Sequence, residues 1–115
     1  MNIEEIRDYC LQKKSVEESF PFDAETLVFK VAGKMFALMA LEKGDGVNLK
    51  CDPERAVELR DSYEGVLPGY HMSKVHWNTV KINSDVPDAL FYELIDHSYE
   101  LVVQKLPKKI QKTLE

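Results

Sequence analysis

The hydrophobic positions of this 115-residue chain change period several times, and each change marks an element. Ile3, Ile6, Cys10 and Leu11 recur on one helical face, which predicts a first helix. Asn2, three residues before Glu5, supplies its N-cap, and Lys13 and Lys14 suit its last turn. Between Ser15 and Glu25 the pattern is punctuated by SFPFD, where Pro21 holds its neighbour out of helix. A loop that tucks Phe20 and Phe22 over the core edge is expected there. From Thr26 the period becomes two: Leu27, Phe29 and Val31 alternate with Val28 and Lys30. Ala32-Gly33 is a tight turn, with glycine free to adopt positive φ. Lys34 to Leu41 is apolar on both faces and predicts a central strand. After the EKGDG turn, Val47, Leu49 and Cys51 alternate in a third strand of the same meander.

Asp52-Pro53 then reads as an N-cap with proline in the first helical position. Ala56, Val57 and Leu59 fill one side of a short helix ending near Ser62. Val66-Leu67 begins a strand that Pro68-Gly69 turns, and His76 to Ile82 form the next. Asp85 is expected to cap a last long helix, with Pro87 tolerated in its first turn. Its apolar stripe is Leu90, Phe91, Leu94, Ile95, Leu101 and Val102, with Ser98 as the one small polar member. Leu106-Pro107 ends it, and a short basic helical tail follows. The order α-β(3)-α-β(2)-α predicts an α+β fold, one domain over residues 1–115, with helices packed on one face of an antiparallel sheet.

A chain of this length buries roughly 65% of its unfolded surface, enough for a core without disulfides or a structural metal. The 44% apolar and 30% charged fractions are those of an ordinary globular protein. No apolar run approaches the ~18 residues of a membrane span. The N-terminus MNIEEIRDYC carries acids where an export signal carries bases. A cytoplasmic protein with no membrane partner is therefore expected. Cys10 and Cys51 then read as reduced thiols.

The net charge of −5 and a pI near 5.2 argue against a general nucleic-acid binder. The charge is unevenly spread, however. Residues 1–25 hold seven acids and three bases, while residues 66–84 hold two lysines, two histidines and no acid. Residues 105–115 add four lysines against one acid. One basic face is compatible with this distribution.

Catalytic and metal chemistry find little support. His71 and His76 are five apart, which fits neither a helical i, i+4 metal pair nor a CxxC unit. Cys51 precedes a helix N-terminus, where the dipole lowers a thiol pKa, but a strand cysteine alternating with Leu49 also reads as core. No GxSxG, P-loop or GxGxxG occurs, so no cofactor, no catalytic residue and no metal ligand are assigned. The paired acids Glu4-Glu5 and Glu17-Glu18 read as solvated charge. The segment PGYHMSKVHWNTVK, residues 68–81, stands apart. Three readings of it remain open. In the first, Trp77 turns inward to anchor the sheet against the long helix, and His71 bonds backbone carbonyls. In the second, an exposed aromatic and flanking bases form a stacking and phosphate-contacting surface. In the third, one histidine is a general base, with Asp61 as a conceivable partner.

Taken in order, SFPFD, TLVFKVAGKMFAL, LKCDPE, PGYHMSKVHWNTV and ELIDHSYELVVQKLPKK resemble the MmcQ/YjbR family of small bacterial proteins, from Phe20 to Lys109. Ser73 stands where asparagine is common in that family. The resemblance implies an α-β(3)-α-β(2)-α fold, compared with secretion chaperones and with frataxin-like proteins, and no catalytic residues. It also implies DNA binding through a double wing of β-hairpins. With the local basic charge, this makes a non-enzymatic DNA-binding protein the leading expectation. The wings are the Ala32-Gly33-Lys34 turn and the segment Tyr70 to Lys81. Lys30, Lys34, Lys74, Lys81, Lys105, Lys108 and Lys109 are the phosphate contacts, with His71 and His76 beside them and Tyr70 or Trp77 against sugar or base. The alternative is a module that binds a protein or a small aromatic ligand in a groove lined by Phe20, Pro21, Phe22, Met72 and Trp77.

Overall fold

A computed structural model describes residues 1–115. In chain order it contains α1 (Ile3–Leu11), β1 (Val16–Ser19), β2 (Thr26–Val31), β3 (Lys34–Ala40), β4 (Gly46–Lys50), α2 (Pro53–Ser62), β5 (Val66–Pro68), β6 (Trp77–Lys81), α3 (Asp88–Gln104) and α4 (Lys108–Thr113). The six strands form one antiparallel sheet in the order β1-β2-β3-β4-β6-β5. This is the α+β class expected, with β3 in the interior of the sheet. No helix is long and apolar enough to cross a membrane.

One sheet face carries the core. Leu27, Phe29, Val31, Met39, Val47, Leu49, Val66 and Val80 point to it and meet Ile6 and Cys10 of α1, Ala56 and Leu59 of α2, and Phe91, Leu94, Ile95 and Val102 of α3. A register shift between Phe29 and Lys30 lets Phe36 and Ala37 both join this side. Ser98, in the middle of the α3 stripe, is fully buried. Its hydroxyl donates to the Phe36 carbonyl at 2.5 Å and accepts from the Lys50 amide at 2.9 Å, so the small polar residue ties α3 to β3 and β4.

Local signals act as read at several points. Asn2 accepts from the Glu5 amide at 2.9 Å, and Asp52 from the Arg55 amide at 3.3 Å, each capping its helix. Ala32 and Gly33 both take positive φ, +49° and +82°, in a two-residue hairpin turn.

Four expectations are corrected. Residues 16–19 form an edge strand rather than part of a loop, paired from Val16 opposite Val31 to Ser19 opposite Val28. Its inward neighbour to α1 is a glutamate: Glu18 takes two hydrogen bonds from Arg7, so no apolar alternation marks the strand. Phe20 and Phe22 are not tucked in but stand exposed beyond that strand. Asp85 does not cap α3. Its carboxylate accepts from the Glu64 and Gly65 amides, both at 2.8 Å, and α3 starts after Pro87 without a side-chain cap. Val57 is 50% exposed, because only Ala56 and Leu59 of α2 reach the sheet.

Candidate binding trough on the open sheet face

No helix covers the other face of the sheet. Strand alternation sends Val28, Leu38, Asn48, Thr79 and Leu67 to it, and the register aligns these five residues in one row across β2, β3, β4, β6 and β5. A connection of eight residues, 69–76, leaves β5 and folds back over part of this row before entering β6. Beneath it lies a second, small core of Val28, Leu38 and Trp77, packed by Met35 and Met72.

The connection is pinned by polar contacts at several points. Gly69 donates to the Trp77 carbonyl at 2.9 Å, and Trp77 donates to the Ser73 carbonyl at 3.0 Å. The Lys74 ammonium bonds the Gly69 carbonyl, and Arg60 of α2 donates to the Lys74 carbonyl at 3.1 Å. Gly69 has no room for a side chain, since a Cβ there would lie 2.7 Å from the Trp77 Cβ. On the sheet below, the Asn48 amide donates to the Tyr70 carbonyl at 3.1 Å, and the Thr79 hydroxyl donates to the Asn48 side-chain oxygen at 2.5 Å while accepting from the Tyr70 amide at 3.0 Å. These three bonds fix Tyr70 as the rim of a depression. His71 takes φ +59°, a costly conformation for a residue with a Cβ, and its ring sits 4.1 Å from that of Tyr70.

Two adjoining cavities of about 370 and 380 Å³ meet at Tyr70 and share the floor residues Leu38, Ala40 and Asn48. One extends past Thr79 to Leu67, Lys43, Asp45 and Lys81. The other extends to Phe22, Asp23, His71 and Met72. Together they form one trough, apolar in the floor and charged at the ends. The Lys43 ammonium lies 5.4 Å from the centre of the Tyr70 ring. Lys81 is paired with Asp45 at 2.9 Å, and that hydrogen bond holds the Asp45 carboxyl below its ordinary range. The Asp23 carboxyl is likewise lowered by the Glu25 and Thr26 amides that donate to it.

The residues singled out in the sequence are dispersed by this geometry. Trp77 is only 8% exposed, and it is buried on the face opposite α3, so it neither anchors the long helix nor offers a free ring for stacking. Tyr70 is 61% exposed and His71 is exposed beside it. His76 is exposed at the end of the connection, where its carbonyl accepts from the Cys51 amide. Asp61 is exposed on α2. Lys30 and Lys34 belong to the β2–β3 hairpin, with Lys30 opposite Glu17 of β1. Lys105, Lys108 and Lys109 sit at the end of α3 and on α4. Of the groove residues, Phe22 and Met72 line the trough and Trp77 lies within the small core.

Leu38, Ala40, Lys43, Asn48 and Thr79 were not legible as site residues. Asn48, between Val47 and Leu49, and Thr79, beside Val80, are polar positions that only the strand register brings together. Both cysteines are free and buried, and burial pushes the Cys51 thiol up to about 11 and Cys10 to about 12. Cys51 is a core residue, as its alternation with Leu49 suggests, and desolvation is the main cause of its raised thiol pKa. No three His, Cys, Asp or Glu side chains converge on a point that could hold a metal ion.

A YjbR family model matches residues 11–101. The chain belongs to the YjbR family. Among similar YjbR-family proteins, "Uncharacterized protein YjbR" of Escherichia coli K12 is 36% identical over 115 residues, covering 99% of this chain and 98% of that protein. "Uncharacterized protein YbdF" of Escherichia coli O157:H7 is 39% identical over 104 residues, 90% of this chain and 85% of its own. A crystal structure of a Deinococcus radiodurans protein superposes with a TM-score of 0.91 at 41% identity, covering 98% of this chain and 87% of that one.

Proposed function

We propose that this YjbR-family protein is a non-enzymatic binding module that holds a small ligand in the trough on its open sheet face. One observation carries this reading: two adjoining cavities, each within the size range of small-molecule sites, share an apolar floor on the one sheet face left without helices. Exposed apolar residues line it, among them Phe22, Leu67 and Tyr70. Strained backbone at His71 supports it further, since such conformations collect at ligand sites. A ligand-detected NMR screen of small aromatic and aliphatic compounds, run on the wild type and on Ala40→Arg, tests it. Ala40 is exposed at the end of β3, so the arginine fills the trough without entering the core. Hits lost in Ala40→Arg are expected; hits that survive the substitution, or none at all, overturn the reading.

DNA binding is a second reading, favoured by one observation. Lys34, Lys105, Lys108 and Lys109 have no carboxylate within ion-pair distance, whereas Lys81 is already paired and Lys74 is committed to a carbonyl. Anisotropy of a labelled mixed-sequence duplex at low and near-physiological salt decides it. Binding that falls steeply with salt and is lost in Lys34→Glu with Lys105→Glu supports contacts at those lysines. No binding at low salt ends this reading.

A further inference from the structure

The trough has a chemical polarity that narrows its ligand, given that the trough is the binding site. Its floor polar groups are held in place by one another: the Asn48 amide and the Thr79 hydroxyl bond each other and the Tyr70 backbone. What they leave to a ligand is the apolar surface of Leu38, Ala40 and Leu67 and the rim ring of Tyr70, 61% exposed. An apolar floor beside an exposed tyrosine ring favours an aromatic body, which packs on both. Lysine charge enters at one end only, while the Asp23 carboxylate at the other end is taken up by the Glu25 and Thr26 amides. Lys43, Lys81 and Asp45 line the lysine end, and Asp45 is engaged by Lys81 at 2.9 Å. Lys43 therefore stands as the surplus charge, with no carboxylate in ion-pair distance and its ammonium 5.4 Å from the Tyr70 ring centre.

We infer that the trough takes a planar aromatic carboxylate, its ring on Leu38 and Ala40 against Tyr70 and its carboxylate on the Lys43 ammonium. An ammonium ligand meets two lysines at that end, and the Asp23 carboxylate at the other end is already held by the Glu25 and Thr26 amides. A neutral ring leaves Lys43 without the anion that it accommodates. A bare inorganic anion leaves the apolar floor unused.

The test titrates 2-naphthoate, 2-naphthamide, 2-naphthylmethylammonium and inorganic phosphate into the full chain, followed by amide NMR shifts. Saturable shifts at Tyr70, Asn48 and Lys43 with 2-naphthoate are expected, with an affinity about tenfold above that of the amide, the scale of one charge-assisted contact. Lys43→Gln should erase that tenfold preference, and Lys34→Gln, outside the trough, should leave it intact. Equal binding of naphthoate and naphthamide, or a preference that survives Lys43→Gln, overturns the anion inference while the trough remains a binding site. Phosphate shifting the same residues as strongly as naphthoate overturns the aromatic half. Absence of trough shifts with every aromatic probe at millimolar concentration overturns the inference together with the reading of the trough as a site.

Discussion

The two faces of this sheet are built from alternate residues of the same strands, yet they are finished by different means. On one face Phe29, Phe36, Met39, Leu49 and Val80 lie under three helices, and their burial is complete. On the other, Val28, Leu38 and Trp77 are buried under a single eight-residue connection, and the rest of the surface stays open as a trough. The helix-covered face is closed by apolar area, which is non-directional and tolerant of exact placement. The loop-covered face depends on directional contacts: the Gly69 and Trp77 bonds, the Asn48–Thr79–Tyr70 set and the Arg60 tether. A cover of this kind leaves space beside it, and a binding site needs space.

The contrast is broken most severely by Phe36→Ala. Phe36 is fully buried, packs edge-on against Tyr99 at 5.4 Å, and its carbonyl accepts from Ser98, so removal of the ring should cost about 3–5 kcal/mol in urea unfolding. Leu38→Ala, one strand position from that core but on the open face, should cost about 2 kcal/mol, because the trough already bounds the site. Equal losses for the two would erase the distinction between the faces.

Gly69→Ala sharpens the comparison by loosening the loop cover alone. The new Cβ meets the Trp77 Cβ at 2.7 Å and the Trp77 carbonyl oxygen at 2.9 Å, and both belong to parts with little freedom to yield. A loss of about 1–2 kcal/mol is expected, with the emission of Trp77, the single tryptophan, shifting to the red. Unchanged emission would mean that the connection can reseat without disturbing the small core.

The smallest effect concerns pH and falls on the helix side. The His97 imidazole accepts from the Asp52 amide at 3.2 Å at the start of α2, a role open only to the neutral ring. Burial holds its pKa below the ordinary 6.5, helped by Arg55 and opposed by Glu93, Asp52 and Glu100. The folded state therefore binds this proton more weakly than the unfolded chain. The contribution is fully present above about pH 6.5 and is lost as pH falls through that value towards the lower folded one. Urea midpoints measured from pH 7.5 to 5 should show this slope, and His97→Leu should remove it. The carboxyls of Glu18, Asp45 and Asp85, all lowered, act only at more acidic pH. A slope that persists in His97→Leu would assign the proton elsewhere.

The sequence by itself determined which side chains of β2, β4 and α3 lie on the helix-covered face, because the alternation and the helical stripe are local periodicities, each readable without its partner. In β3, apolar on both faces, the register shift that turns both Phe36 and Ala37 inward was not readable. The sequence determined the caps at Asn2 and Asp52 and the Ala32-Gly33 turn because they too are local, since their bonds span three residues or fewer. It marked residues 68–81 as unusual through composition. Tertiary structure alone decided what that segment does to its surroundings. Trp77 is buried because residues 69–76 double back over the sheet, and no periodicity encodes the direction of an eight-residue connection. Strand β1 escaped notice because Val16 is its one apolar residue, and the other helix-side position is Glu18, neutralised by Arg7 eleven positions away. The trough joins residues from Phe22 to Lys81 through strand register, so Leu38, Asn48 and Thr79 become neighbours only once β3, β4 and β6 are paired. A local pattern can specify which face a residue occupies; which residues share that face side by side is set by long-range pairing.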